Sequence, residues 1–278
     1  MRTNNGLNRE DWRRSNVDSI ISALAIAIKE EKPACRFGIS PFGVWRNIDK
    51  DSLGSATRAG QTNYDDLYAD VLLWLKKGWI DYVAPQIYWE IGHKAAPYEV
   101  LVDWWSKHTY GRHCYIGLGI YRAGTNAAWR DSTLLPRQIN LLRQYPQIQG
   151  AVYFSSKSFV SNPNGWSDSL RNNYYRLPAL IPPMPWIDSL IPSDPVITKS
   201  FDGKDLHLDI EVKNSNSLVR SVNVYSIPAG EQTPVLIQTV PASGSNRLSI
   251  KLATSMNSRF ALSYVNTSNN ESKRVEVN

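Results

Sequence analysis

Val83-Ala84-Pro85-Gln86-Ile87-Tyr88-Trp89-Glu90-Ile91-Gly92-His93 runs from an apolar strand straight into an amide, a phenol, an indole, a carboxylate and an imidazole. In α/β proteins the carboxyl end of a parallel strand is where ligands sit. Aromatic faces beside hydrogen-bonding groups suit sugar rings and their hydroxyls, so the stretch reads as a carbohydrate site.

Outward from this strand, residues 8–180 read as a helix followed by four alternating strand–helix units. The opening helix places Val17, Ile20, Ile21, Leu24 and Ile28 on one face and stops before Pro33. The predicted strands are Arg36–Ser40, Asp81–Tyr88, Cys114–Tyr121 and Ile148–Ser155, each a nearly continuous apolar run, as when both faces of a parallel sheet are covered. Predicted helices run from a cap at Asn63 to Gly78, through Tyr98, Leu101, Val102 and Trp105, through Leu135, Ile139 and Leu142, and from a cap near Ser167. Strand exits near residues 41, 87, 120 and 155 keep a barrel-like rhythm. A closed barrel needs eight such units. Four units make either a small open α/β sheet or the second half of a barrel.

Charge and tryptophan both divide the chain at Pro182-Pro183-Met184-Pro185. Residues 187–278 hold nine basic and nine acidic side chains, so the +6 excess belongs wholly to the first part, as do all ten tryptophans. That excess comes without basic runs or Gly-rich phosphate loops, so no nucleic-acid partner is expected. No apolar run approaches the ~18 residues of a membrane span, and Met1-Arg2-Thr3-Asn4-Asn5-Gly6 lacks a signal-peptide pattern. Cys35 and Cys114 are expected to be free thiols packed as small hydrophobes. No His/Cys/Asp spacing suits a metal, so no metal and no cofactor are expected.

The tail changes to period two. Leu206, Leu208, Ile210 and Val212 alternate with polar residues, as do Leu248, Ile250 and Leu252, and about seven short strands are expected in a β-sandwich. The domain limits are therefore 1–181 and 187–278.

The segments Ile39-Ser40-Pro41-Phe42-Gly43-Val44-Trp45-Arg46-Asn47, Tyr64-Asp65-Asp66-Leu67-Tyr68-Ala69-Asp70, Gly78-Trp79-Ile80-Asp81-Tyr82 and Pro85-Gln86-Ile87-Tyr88-Trp89-Glu90 together resemble the bacterial glycosyl hydrolase-like family ten. Gly117-Leu118-Gly119-Ile120-Tyr121-Arg122 and Gly150-Ala151-Val152-Tyr153-Phe154-Ser155-Ser156 extend the resemblance. It implies a (β/α)8 TIM-type barrel acting on glycans, peptidoglycan among them, in the cell envelope, with this chain holding the C-terminal half. The family's Asp-Asp-Tyr motif, which looks catalytic, has no match here. Ala261-Leu262-Ser263-Tyr264-Val265-Asn266 with Asn270-Glu271-Ser272 resembles the end of a fibronectin type III domain.

Glycoside hydrolysis commonly uses two carboxyl groups. Glu90 is the candidate catalytic residue, a general acid whose pKa the rings of Tyr88 and Trp89 would raise; its alternative role is to cap a helix or pair with a cation. Trp45, Arg46, Gln86, Tyr88, Trp89, His93 and Tyr121 are the candidate substrate-binding residues. Among them Arg46 is the candidate for holding a sugar carboxylate, or else forms a surface ion pair, while Phe154 either walls the site or packs in the core. The function expected is a glycan hydrolase incomplete without the first half-barrel; the alternative is a noncatalytic glycan-binding or scaffold protein. Two open sheet edges carry an expectation of self-association.

Overall fold

The computed structural model describes residues 6–212, 217–242, 246–253 and 259–277. It divides into two compact units, residues 1–170 and 171–278. The division lies at Leu170/Arg171, upstream of the prolines at 182–185.

The first unit opens with α1 (Arg9–Glu31), capped by Asn8, whose Oδ1 accepts the Asp11 N–H at 2.8 Å. Its attachment is largely polar. Trp74 Nε1 donates to Asp18 at 2.6 Å, Arg14 Nη1 to the Tyr64 carbonyl at 2.8 Å, and Lys29 Nζ to the buried Asp81 at 3.0 Å. The expected apolar face is only partly covered: Ile21 and Ala25 are buried, but Ile20 is 59% exposed and Leu24 46%.

Four parallel strands follow, β1 (Gly38–Ile39), β2 (Tyr82–Val83), β3 (His113–Leu118) and β4 (Gly150–Tyr153), in the order β1-β2-β3-β4. The strands are shorter than the apolar runs that predict them. Pro85 has no N–H to give the ladder, so the second run stops as regular strand at Val83 and resumes as bridges from Gln86 to Phe42 and Gly117. β1 and β4 are the two edges, as expected for a four-stranded open sheet.

The helices lie between the strands. α2 (Asn63–Asp66) and α3 (Val71–Lys77) replace the single helix expected from Asn63. Tyr68 has φ 54°, and Asp70 recaps the chain by accepting the Leu73 N–H at 3.1 Å. Thr62 is the true cap of α2, because the Asn63 side chain is buried and occupied with the backbone of Phe42 and Val44. α4 (Tyr98–Lys107) and α6 (Leu134–Leu142) keep their predicted faces, with Leu101, Val102, Trp105, Leu135, Ile139 and Leu142 buried, and short α5 (Ala127–Arg130) precedes the latter. α7 (Ser156–Phe159) and α8 (Trp166–Ser169) close the unit. Ser167 lies inside α8 rather than at its cap, which is Gly165 in the left-handed region. Cys114 is buried and Cys35 exposed, so only Cys114 packs as the small hydrophobe expected of both.

The second unit has seven strands among the described residues: β5 (Val196–Phe201), β6 (Asp205–Glu211), β7 (Val219–Ile227), β8 (Val235–Pro241), β9 (Arg247–Ala253), β10 (Arg259–Asn266) and β11 (Val275–Val277). They form two antiparallel sheets, ordered β11-β10-β7-β8 and β5-β6-β9. Leu208, Ile210 and Ile250 from one sheet and Val222, Val224, Leu262 and Tyr264 from the other share one core. The period-two pattern makes this possible, because alternate residues of each strand face the same side. No helix among the described residues is long and apolar enough to cross a membrane.

Candidate functional site

The exits of β1, β2 and β3 open onto a cleft of about 450 Å³. Phe42 and Gly43 come from the first exit, Gln86, Tyr88 and Trp89 from the second, and Tyr121 and Arg122 from the third. Two loop segments, Ala59-Gly60-Gln61 and His93 with Ala95-Ala96, complete the wall. Of the eight candidate residues, the structure thus brings together Gln86, Tyr88, Trp89, His93 and Tyr121.

Close backbone packing forms the floor. A Cβ added to Gly43 would lie 2.7 Å from Trp89 Cζ3 and 2.8 Å from the Gln86 carbonyl oxygen. Only glycine leaves room there. The Gly43 carbonyl accepts the Trp105 Nε1–H at 2.7 Å, and the Trp89 carbonyl accepts the Gln138 amide at 3.0 Å, so both neighbours are pinned from behind by helix residues. Gln86 is held too, donating Nε2–H to the Ser40 carbonyl at 3.1 Å.

Three aromatic rings cluster at one rim. Tyr88 stacks on Phe154 at 5.8 Å and 24°, and Tyr121 meets both edge-on. Burial and the neighbouring Tyr121 push the Tyr88 hydroxyl above its ordinary pKa, so it remains a neutral hydrogen-bond donor. Phe154 is 54% exposed, which places it at the rim and not in the core. His93 Nδ1 accepts the Ala96 N–H at 3.1 Å, which leaves Nε2 as the ring's donor.

Glu90 stands behind this wall. Its Oε2 accepts the Trp129 Nε1–H at 2.9 Å and its Oε1 the Asn126 amide at 3.4 Å. Burial alone would raise its pKa; its own backbone N–H, the Trp129 indole and the charges of His93 and Arg122 outweigh that and hold it below the ordinary glutamate value. The expectation of a raised, proton-donating carboxyl is therefore corrected: Trp129 and Asn126, brought in from beyond the flanking Tyr88 and Trp89, donate hydrogen bonds to the carboxylate, and Glu90 is ionised at neutral pH.

Trp45 and Arg46 lie outside the cleft. Trp45 is 4% exposed, stacked on Trp104 at 6.1 Å and edge-on to Tyr64, and so offers no face to a sugar. Arg46 spends its guanidinium on Asp65 at 2.8 Å and Asp51 at 3.1 Å, over the Tyr64 ring at 4.6 Å. Neither is free to bind substrate as expected. The same pairing gives Asp65 a role beyond the helix start.

Sequence reading missed Phe42, Gly43, Arg122, and the Trp129 and Asn126 that hold Glu90. Arg122 follows Tyr121 at a strand exit, a position that could have marked it. Among the described residues no group of His, Cys, Asp and Glu is placed to hold a metal ion, and the described residues lining the cleft include no carboxylate.

Comparison with known proteins bears out the resemblance to a glycosyl hydrolase-like family. Residues 3–132 match the family described as Glycosyl hydrolase-like 10. Glycosyl hydrolase YngK of Bacillus subtilis is 45% identical over 230 residues, 81% of this chain and 45% of YngK. Glycosyl hydrolase DigH of Escherichia coli is 41% identical over 165 residues, 56% of this chain and 37% of DigH. The chain thus spans less than half the length of these relatives.

Proposed function

We propose that the chain is the C-terminal half of a (β/α)8 glycoside hydrolase barrel, residues 1–181, joined to a fibronectin type III-like module, residues 187–278, and that it acts on cell-wall or related glycans in the cell envelope. The observation that carries this reading is the cleft itself. Tyr88, Trp89 and Tyr121 supply rings, and Gln86, His93 and Arg122 supply polar groups, at the carboxyl ends of parallel strands in a sequence similar to glycosyl hydrolases. The half-barrel is supported by two open edges, β1 and β4, and by the uncovered Ile20 and Leu24 of α1 and Val152 of β4. In this reading the reacting carboxyl groups come from strands beyond these four, and Glu90 is a positioning residue that anchors the cleft wall through Trp129.

A second reading, noncatalytic glycan binding or scaffolding, is favoured by the carboxylate-free lining of the cleft. One experiment separates the two. The chain, and a version extended by the residues encoded upstream, are incubated with isolated peptidoglycan glycan strands, and bound glycan and new reducing ends are measured. The hydrolase reading expects binding by both and reducing ends from the extended form alone. Binding without cleavage by either supports the scaffold, and no binding by either removes the glycan assignment.

A further inference from the structure

We propose that Arg122 makes the cleft selective for sugars carrying a carboxylate; this rests on the glycan reading above. Arg122 is the one Lys or Arg among the described residues lining the cleft, and no Asp or Glu lines it. A sugar hydroxyl needs no full positive charge to hold it. A carboxylate does.

The guanidinium is preset for that task. Its Nη1 donates to the Tyr88 carbonyl at 2.9 Å and its central carbon lies 5.6 Å from the centre of the Trp129 ring, so its position is fixed from two sides. One of five N–H donors is thereby used, and the planar fork of the rest matches a carboxylate in paired hydrogen bonds. Arg122 differs in this from Arg46, whose fork is filled by Asp51 and Asp65.

Glu90 feels the field of Arg122, which helps hold it ionised. Yet Glu90 is absent from the lining, and its oxygens are taken by Trp129 and Asn126. It balances part of the charge from behind without occupying the side that meets ligand. The rings of Tyr88, Trp89 and Tyr121 line the same cleft and offer faces for the sugar that carries the carboxylate. The His93 Nε2–H adds a further donor on the same wall.

A sugar carboxylate can belong to the ring, as in a uronic acid, or hang from an ether-linked lactyl substituent. The test uses four probes on the 278-residue chain by calorimetry: a tetrasaccharide of alternating N-acetylglucosamine and N-acetylmuramic acid, the same tetrasaccharide with its carboxyl groups reduced to alcohols, tetragalacturonate, and tetra-N-acetylchitotetraose. Wild type should prefer a carboxylated probe over its neutral counterpart by about tenfold, the scale of one hydrogen bond to a charged group, and which carboxylated probe gains identifies the source. Arg122→Gln should abolish that preference, so that its charged and neutral probes bind within about twofold of each other, and Arg122→Lys should restore part of it. Reading the ratio within each variant keeps the test sound even if the substitution loosens the cleft. Equal wild-type affinity for charged and neutral probes, or an unchanged preference in Arg122→Gln, overturns the assignment and leaves glycan binding standing. Binding of none of the four overturns both.

Discussion

Trp129 Nε1 donates to Glu90 Oε2 at 2.9 Å, joining the buried indole of a short helix to the carboxylate that follows the β2 exit. The bond fixes Glu90 behind the cleft and turns the most obvious acid of the chain into an anchored anion.

Replacement of that anion should be legible in pH. A carboxylate with a folded-state pKa below its unfolded value stabilises the fold above the unfolded pKa, ~4.3, and loses that contribution as pH falls through the folded value. Glu90→Gln should therefore cost about 1 kcal/mol at pH 7, the size of a typical net hydrogen bond, and nothing once Glu90 is protonated. Urea unfolding of both proteins at pH 7 and at pH 3 checks this. An equal gap at both values would remove the ionised-carboxylate account.

Trp89 and Trp45 should behave oppositely. Trp89 lines the cleft and Trp45 is packed against Trp104 and Tyr64. Trp89→Ala should weaken glycan binding strongly with a modest fall in Tm. Trp45→Ala should lose ~3–5 kcal/mol of stability, the usual loss for a buried aromatic, with near-normal binding when folded. Thermal melts beside calorimetry with glycan oligomers decide it, and a reversed pattern refutes the assignment of the cleft.

Gly43→Ala tests the floor. The added methyl must displace the Trp89 ring or the Gln86 backbone, at about 1–3 kcal/mol for overpacking, and glycan affinity should fall along with stability. Unchanged intrinsic Trp fluorescence and unchanged affinity would show that the ring does not depend on this contact.

The open edges should make the isolated chain associate. β1 and β4 are the outermost strands of the sheet, and Val152 and Val160 are exposed at 49% and 87% on and beyond the β4 edge. Exposed strand edges pair with other chains unless charged residues block them. Sedimentation velocity over a tenfold concentration range should show species larger than the monomer, and Val152→Lys should shift the distribution toward monomer. A monomeric wild type across the range defeats this prediction.

Local pattern was enough to specify most of the elements. The four parallel strands follow from continuous apolar runs, the inner faces of α4 and α6 from helical periodicity, and the seven tail strands from alternation, because these features depend on which sides of an element meet the core. The ring-bearing exit of β2 was equally plain, since a change from apolar to aromatic and polar residues at a strand end is local. The break between α2 and α3 was not, because it turns on Asn63 being needed by the backbone of a loop twenty residues earlier.

The site divided along the same line. Sequence named Gln86, Tyr88, Trp89, His93 and Tyr121 because each sits at or just past a strand exit. It could not tell that Arg46 meets Asp51 and Asp65, that Trp45 turns inward, or that Arg122 remains as the charge in the cleft. Nor could it give the sign of the Glu90 shift. A carboxylate's ionisation follows from which donors reach it, and Trp129 arrives from 39 residues away, brought there only by the folded chain.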